Sequence, residues 1–341
     1  MMRWTVGLLA LTLSMGLLSG CGATGTGPAK PAAFKVGLVT DMGGLNDHSF
    51  NHLAYVGLMQ AKSQLGVTTA VAQSRSASDY VPFLSSYAEQ GYNLVIAVGF
   101  LMQQAVQQVA QKYPHTRFMI IDDDVPGPNI ASAVFDSQQC GYLVGQLAGL
   151  VQEDHALPHI NNYNTLGVVG GMAIPPVDAY IAGFEAGVKS VDPAAEILLK
   201  YAGNFDNPGK GSTVAQTMIA RHADIIFQLA GGSGLGVIKA AREAGVYAIG
   251  SDDNQSYLAP GTVITSAEKG VNVAAFDIIK ETLDGRFKAG LNTFDLANNG
   301  VGYATPIAAI PKSIVDRVEK TAQAVEAGKI QPPAKLSGIP N

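Results

Sequence analysis

Charged residues are scarce in this sequence, and no segment concentrates positive charge. Of the 341 residues, 14% are charged, and 22 Lys and Arg against 27 Asp and Glu give a net charge of −5. The absence of a basic cluster disfavours nucleic acid and a polybasic membrane contact as partners. After residue 33 the sequence also lacks any apolar run long enough to cross a bilayer.

Cysteine is equally rare, with only Cys21 and Cys140. Residues 1–20 place one arginine before an apolar run, which predicts a secretory signal peptide too short for a stable membrane span. The run ends in Leu18-Ser19-Gly20-Cys21, which looks like a lipobox, in which the cysteine is diacylated. The alternative is a generic signal peptide that happens to contain a cysteine. If Cys21 carries lipid, only Cys140 remains, so we expect no structural disulfide despite an exported context.

Residues 21–33 are small and rich in Gly and Pro, which predicts a flexible lipidated tether. Beyond them, short β-branched runs alternate with segments of helical periodicity. This alternation predicts an α/β protein with parallel strands and helices on both faces of the sheet, and the remaining length suffices for two such lobes. The predicted strands are 35–40, 94–98, 118–122, 165–169, 196–201, 224–229, 247–251 and 262–265, and the predicted helices include 79–90, 102–112, 138–152, 175–190, 211–220, 234–244 and 271–283.

The loop from Asp41 to His48, between the first predicted strand and the helix that follows it, is polar and rich in glycine. In open α/β sheets, ligands bind outside the carboxyl ends of the strands, close to the unpaired N–H groups of helix N-termini. The loop is therefore the first candidate for a binding site. An ordinary turn, in which Asp47 or Ser49 caps the helix, explains the same residues equally well.

The segment Gly37–Asn51, GLVTDMGGLNDHSFN, resembles the opening of the basic membrane lipoprotein family, whose members are nucleoside-binding lipoproteins that feed ABC transporters. Similar blocks follow in the same order and spacing, and the resemblance extends from about residue 35 to about residue 330. These blocks are 98–100, 118–122, 170–171, 183–184, 230–232, 250–252 and 266–269.

The resemblance implies the fold of a type I periplasmic binding protein: two Rossmann-like lobes with parallel sheets, joined by a three-segment hinge and closing on a ligand between them. Lobe one is expected to comprise residues 34–125 plus 255–290, and lobe two residues 126–254 plus 291–335. The Pro- and Gly-rich stretches 125–128 and 259–261 suit crossover segments, because they interrupt both periodicities.

Aromatic rings, carboxylates and amides gather at the predicted strand ends, with little positive charge. Rings supply stacking area, and Asp and Asn pair with ring nitrogens and sugar hydroxyls, so a flat, neutral, hydroxyl-bearing ligand suits the set. A phosphorylated ligand does not, because several carboxylates would repel it. The expected ligand-binding residues are Asp41, Asn46, Asp47, Phe50, Asn51, Phe100, Asp122, Phe205, Gly231, Gly232, Asp252 and Lys269.

The resemblance also implies roles for the aromatic pair and the charged pair. Phe50 and Phe205 would sandwich a purine base, although Phe50 also begins an apolar helical stripe, and that position taken alone favours a core residue. Phe205 lies among turn-forming residues, where an aromatic side chain favours binding. Asp252 and Lys269 match the pair that contacts ribose in the family. The alternative interpretation is that these two residues form an ordinary surface salt bridge.

The base edge would be read by Asn46, Asp47, Asn51 and Asp122, and Gly231-Gly232 would let the backbone approach the ligand. The sequence departs from the family pattern at two positions. His48 stands where a basic residue is usual, which should change only a surface charge. Asn254 stands where Asp is usual, which leaves the contacts of the loop 250–255 open.

An enzyme is a competing interpretation. Residues 230–236, AGGSGLG, follow a predicted strand and begin a helix, as in a dinucleotide-binding fingerprint, but the third glycine position is occupied by Val237. No Gly-x-Ser-x-Gly elbow occurs, and Cys140 lies in an apolar helix, where a small core residue is expected. Pro158 interrupts any helix that would place two neighbouring histidines on a metal. We therefore expect a binding protein with no catalytic residue, metal or cofactor.

The expected function is capture of a nucleoside, a purine nucleoside in the first place, for an ABC permease and its ATPase. The protein would act as a monomer, lipid-anchored to a bacterial cell membrane on its extracytoplasmic side. The alternatives are a receptor for a sugar or another small polar metabolite, in uptake or signalling, and a Rossmann-like enzyme. The sequence does not rank purine against pyrimidine, because amide and carboxylate groups can pair with either.

Overall fold

A computed structural model describes residues 33–336. The predicted signal peptide, residues 1–20, and the predicted lipidated tether that begins at Cys21 lie outside the described residues, apart from Ala33. None of the helices in the described range has both the length and the apolar character that a membrane span requires.

Strands and helices alternate along the described chain, as the periodicity predicts. Four short 3-10 turns, Leu45–Asp47, Ala77–Asp79, Phe100–Met102 and Gln255–Leu258, interrupt the connections. The strands are β1 (Lys35–Thr40), β2 (Thr68–Gln73), β3 (Leu94–Val98), β4 (Arg117–Ile121), β5 (Ile130–Phe135), β6 (Thr165–Gly170), β7 (Glu196–Tyr201), β8 (Ile225–Leu229), β9 (Tyr247–Asp252), β10 (Val263–Lys269), β11 (Gly290–Phe294) and β12 (Val301–Tyr303). The helices are α1 (Phe50–Leu65), α2 (Tyr80–Glu89), α3 (Gln103–Lys112), α4 (Ser137–Glu153), α5 (Pro175–Lys189), α6 (Pro208–Ile219), α7 (Gly232–Ala244), α8 (Val271–Leu283) and α9 (Lys312–Glu326).

Two six-stranded sheets form the framework, and each defines a lobe. The strand order is β11-β5-β4-β3-β1-β2 in lobe one and β12-β10-β9-β8-β6-β7 in lobe two. Strands pair in parallel, except that β12 runs antiparallel to β10. The two orders correspond strand by strand, so the lobes repeat one architecture without repeating a sequence. The predicted α/β class with two parallel-stranded lobes is confirmed.

Burial explains which strands the sequence shows clearly. All residues of β3 and β8 are buried, because helices cover both faces of the sheet at its centre, and a strand in that place reads as a continuous apolar run. The edge strand β2 is only half buried and carries Thr and Gln, so its pattern is weak. The strands that the prediction lacks, β2, β5, β11 and β12, include three at sheet edges.

Sheet pairing corrects the predicted lobe boundaries of 34–125 plus 255–290 and 126–254 plus 291–335. Strand β5 pairs with β4 in lobe one, and β10 pairs with β9 in lobe two. The chain therefore crosses between the lobes at Asp136, at Gly270, and between β11 and β12. The Pro- and Gly-rich stretches 125–128 and 259–261 lie in connections inside a lobe, between β4 and β5 and between β9 and β10, because Pro and Gly interrupt periodicity in any loop.

Helices α4 and α5 of lobe two pack backbone against backbone through glycine. A side chain added at Gly145 would lie 2.2 Å from the carbonyl oxygen of Phe184, and one added at Gly187 would lie 2.1 Å from that of Tyr142. Gly141 and Gly183 approach the facing helix in the same way. The interface between these helices therefore has no room for even a methyl group, and it fixes their separation.

Replacing Gly145 by Ala should destabilise the protein. The methyl group forces the two helices apart at a backbone contact that cannot rotate away, and overpacking of this kind costs about 1–3 kcal/mol, more than the gain of about 1 kcal/mol in helix propensity. The urea midpoint, followed by far-UV circular dichroism, measures the loss. Gly302→Ala is the matched control, because a side chain there meets no atom within 4 Å. Equal midpoints for the two variants would contradict the packing argument.

Candidate functional site

A cavity lies between the lobes, at the carboxyl ends of both sets of strands. Its empty volume, counting the part open to solvent, is about 600 Å³. From lobe one it receives Asp41, Gly99 and Asp122, which follow β1, β3 and β4; from lobe two it receives Asp252 and Lys269, the last residues of β9 and β10. Corresponding strand ends of the two lobes therefore face each other across it.

The structure brings together all the predicted ligand-binding residues except Asn46 and Gly232. Asn46 is exposed in the 3-10 turn before α1 and does not line the cavity. Gly232 begins α7 beneath Phe205, and a side chain there would lie 3.0 Å from the Phe205 carbonyl oxygen. Its neighbour Gly231 does line the cavity, with a φ of 52° and ψ of −129° that suit glycine.

Both lobes contribute phenylalanine rings to the cavity. Phe50 is the first residue of α1, and Phe205 lies in the turn between β7 and α6. The Phe205 ring rests on Gly171, where an added side chain would come within 2.1 Å of it. Because Gly171 has no side chain, the Phe205 ring can approach the end of β6. Phe100 joins the lining from the 3-10 turn that follows β3.

Asp47 and Asn51 line the cavity, but their polar atoms are occupied within lobe one. The Asp47 carboxylate accepts hydrogen bonds from the backbone N–H groups of Ser49, Asn51 and His52, at 2.8 to 3.1 Å, so it caps helix α1. The Asn51 amide donates to both Asp47 and Asp41, at 3.1 and 2.7 Å, and its oxygen accepts from the Asp41 N–H. Both residues thus position Asp41.

Asp41 is nearly buried, with 6% of its surface exposed. Its Oδ1 accepts from the Gly43 N–H at 2.8 Å and from the Asn51 amide at 2.7 Å. Burial raises the pKa of Asp41 to about 6; these two hydrogen bonds partly offset the effect, and the negative charges of Asp47 and Asp122 add to it. The group therefore titrates at a mildly acidic pH.

A buried ion cluster joins the lobes at the floor of the cavity. The Lys269 ammonium of lobe two lies 2.7 Å from an Asp122 oxygen of lobe one and 3.9 Å from an oxygen of Asp252. The side chains of Lys269, Asp122 and Asp252 are 3%, 9% and 11% exposed. Burial alone would lower the pKa of Lys269, but the two carboxylates reverse this and raise it, so the ammonium stays charged.

The backbone at the two carboxylates is left-handed, with φ of 68° at Asp122 and 63° at Asp252. Non-glycine residues adopt this conformation at a cost, and such positions concentrate at functional sites. Asp252 also accepts from the Tyr180 hydroxyl at 2.9 Å and, across the lobes, from the Ser49 hydroxyl at 2.6 Å. Tyr180 was not among the predicted site residues, because in the sequence it has the spacing of a core residue of α5.

The two departures from the family pattern lie at the rim. His48 does more than change a surface charge: its Nδ1 lies 3.0 Å from the Tyr257 hydroxyl, and its carbonyl accepts from the Gln255 amide, both of lobe two. Asn254 is exposed and caps the 3-10 turn after β9 by accepting from the Ser256 N–H. It does not line the cavity.

Two other kinds of site, a reactive cysteine and a metal site, find little support in the described residues. Cys140 is fully buried and burial raises its pKa to about 12, so it is a core thiol. Within residues 33–336, no three His, Cys, Asp or Glu side chains are grouped so that they could hold a metal ion.

Residues 34–336 match the family described as "ABC transporter substrate-binding protein PnrA-like". The chain is 32% identical to the ABC transporter nucleoside-binding protein BmpA of Lactococcus lactis, over 98% of this chain and 100% of that protein. It is also 32% identical to an uncharacterized lipoprotein of Pyrococcus horikoshii, over 96% of this chain and 80% of the other.

Among solved structures, an ABC transporter solute-binding protein from Aeropyrum pernix superimposes with a TM-score of 0.82 at 27% identity. The match covers 88% of this chain and 94% of that one. The predicted periplasmic-binding-protein fold is confirmed by this likeness.

Replacing Lys269 by Met should open the cleft. Without the ammonium, Asp122 and Asp252 face each other unpaired in the closed form, and the loss of one partner from a buried ion pair costs about 3–5 kcal/mol. In the open form water reaches both carboxylates. Small-angle X-ray scattering at pH 8 should therefore give a larger radius of gyration for the variant than for the unchanged protein.

The double variant Asp122→Asn, Lys269→Met should return toward the compact form, because Lys269 and Asp122 are then neutral and two carboxylates no longer face each other. Lys239→Met is the control: this lysine is 62% exposed in a surface pair with Glu243, and such pairs contribute little. Identical scattering from all four proteins would show that the ion cluster does not hold the lobes together.

Proposed function

The chain belongs to the Bmp family of PnrA-like ABC transporter substrate-binding proteins, and from this premise we propose that it captures a purine nucleoside between its lobes. The family consists of substrate-binding proteins and not of enzymes, which decides against the Rossmann-like enzyme. A ligand and a transporter permease are accordingly the partners of this role. The name of the Lactococcus lactis relative, a nucleoside-binding protein, supports the choice of ligand.

The observation that carries the proposal is the pair of rings, Phe50 and Phe205, that line one cavity from opposite lobes. A base placed between them would stack on a ring of each lobe, and this contact forms only when the cleft is closed. Stacking of a base on an aromatic side chain contributes about 1–3 kcal/mol. Ligand binding and closure are thereby coupled through the same two side chains.

The buried ion cluster supplies hydrogen-bonding groups for a sugar. Asp252 and Asp122 can accept from ribose hydroxyls, and Lys269 can donate to them. We therefore assign Asp122 to the sugar rather than to the base edge, since it lies beside Lys269. Lys269 is already paired with two carboxylates, so a phosphate group would meet net negative charge.

Closure would present one combined surface of both lobes to the permease, because contacts such as those of His48 with Tyr257 and Gln255 exist only when the lobes meet. Delivery would follow when the permease separates the lobes. We further propose that the protein is held at the extracytoplasmic face of the cell membrane by a lipid on Cys21. The name lipoprotein carried by the relative from Pyrococcus horikoshii supports this.

Removing either ring should weaken nucleoside binding. Phe50→Ala and Phe205→Ala should each raise the dissociation constant of inosine by about 5- to 150-fold, the equivalent of one stacked face. Isothermal titration calorimetry measures this. Tyr163→Ala is the control, because Tyr163 is 62% exposed and does not line the cavity. Ribose and cytidine are titrated alongside inosine. Binding of ribose as tight as that of inosine would favour a sugar receptor, and binding unchanged by both variants would refute the sandwich.

Replacing Cys21 by Ser should release the protein from the membrane. Serine cannot carry the thioether-linked lipid, so after cell fractionation the protein should move from the membrane pellet to the soluble fraction. Cys140→Ser provides a matched control, because Cys140 is buried in α4. A Cys21→Ser protein that stays in the pellet would rule out the lipid on this residue as the anchor.

A further inference from the structure

Among the polar side-chain atoms of Asp41, Asp47 and Asn51, one oxygen remains available to a ligand. Asp47 and Asn51 use their polar side-chain atoms on helix α1 and on Asp41, and Asp41 Oδ1 already accepts two hydrogen bonds. Asp41 Oδ2 receives no hydrogen bond from the described residues, and it is not among the side-chain atoms sealed from solvent without a partner. This oxygen is therefore open to the cavity that Asp41 lines.

The free oxygen lies beside the stacking ring. A side chain built on Gly99 would meet Asp41 Oδ2 at 3.3 Å and the Cε1 atom of Phe50 at 3.4 Å, so the two atoms flank the same point above Gly99. Gly99, with a φ of 119°, keeps that point empty. A base stacked on Phe50 would bring its edge to this oxygen.

Building on the proposed nucleoside-binding function, we propose that Asp41 makes the site selective for bases that present an N–H donor at this edge and against bases that offer only acceptors. A carboxylate oxygen without a proton only accepts hydrogen bonds. An unprotonated ring nitrogen placed against it would bring two lone pairs together and leave a nearly buried charge unpaired, which is strongly unfavourable. Inosine, with N1–H, satisfies Asp41, whereas purine riboside, whose base has no N–H, does not.

The surroundings of Asp41 leave this selectivity dependent on pH. The charged and titratable groups that act on it are Asp47 before α1, Asp122 after β4 and the Tyr80 hydroxyl of α2, none of them cationic. Lys269 pairs with Asp122 and Asp252. With a pKa of about 6, Asp41 is ionised at pH 8 and accepts; below pH 6 it is protonated and donates.

The sign of the effect follows from this titration. A donor ligand binds the ionised form, so its affinity is full above pH 6 and falls as the pH drops through that value. An acceptor ligand binds the protonated form, so its affinity rises over the same interval. The ratio of the two dissociation constants, purine riboside to inosine, isolates Asp41, because His48, His52 and the sugar-binding carboxylates affect both nucleosides alike.

The experiment measures this ratio by calorimetry at pH 8 and at pH 5 with the full-length protein. We expect purine riboside to bind about 10- to 100-fold more weakly than inosine at pH 8, as for a missing hydrogen bond to a charged group. At pH 5, where Asp41 is mostly protonated, the ratio should fall to one or below. A ratio that is the same at both pH values would overturn the proposal.

Asp41→Asn provides a second and sharper test. The Gly43 N–H and the Asn51 amide would hold the oxygen of the new side chain in the Oδ1 position, so its NH₂ group would face the cavity. The variant should therefore prefer purine riboside to inosine at pH 8 and lose the pH dependence of the ratio. Asp253→Asn, at the rim and outside the cavity lining, should behave like the unchanged protein.

The outcomes separate this proposal from the proposed function. If neither nucleoside binds to the unchanged protein, nucleoside capture itself is wrong. If both bind equally at pH 8, capture stands and the selectivity of Asp41 is refuted. If Asp41→Asn melts below the assay temperature, as circular dichroism would show, the pH dependence of the unchanged protein still decides.

Discussion

A lysine ammonium that is buried between carboxylates from two different lobes is the interaction on which the closed arrangement depends. Each of these ions, buried alone, would lose several kcal/mol of hydration. Lys269 and Asp252 come from lobe two, whereas Asp122 comes from lobe one, so their charges are balanced only where the lobes meet. The hydroxyls of Tyr180 and Ser49 complete the hydrogen bonds of Asp252. Closure is thus tied to charge pairing as well as to the stacking surface.

The site exists because two copies of one architecture face each other. Asp122 follows β4 and Asp252 ends β9, and these two strands occupy the same place in the strand order of their lobes. Both residues have a left-handed backbone conformation. Strained conformations of this kind persist only in a rigid surrounding. The glycine-mediated contact of α4 with α5 supplies such rigidity beside Tyr180 in lobe two, and the hydrogen-bonded group of Asp41, Asp47 and Asn51 supplies it in lobe one.

Much of the fold and of the site could be read from the sequence. Continuous apolar runs such as 94–98 mark central strands, because burial on both faces leaves no other composition, and the polar residues after them mark the cavity. Edge strands such as β2 carry no such pattern. The sequence also does not show which polar residues of the segment Gly37–Asn51 contact a ligand and which only hold another residue in place. Asp41, Asp47 and Asn51 are alike in chemistry, and only their hydrogen bonds show that two of them hold the third. Tyr180 joins the site through a distant strand end, which no local pattern records.

The position of Lys269 beside the crossover at Gly270 has a kinematic consequence. When one lobe swings about the three crossovers, an atom moves in proportion to its distance from the rotation axis. Lys269 is one residue from such a crossover, whereas Phe205 lies in a turn between β7 and α6, on the far side of lobe two from it in the strand order. The ammonium therefore travels a short arc and the ring a long one. A molecule that enters the open cleft would meet the Lys269 ammonium already nearly in its closed position. The Phe205 ring would reach the molecule last.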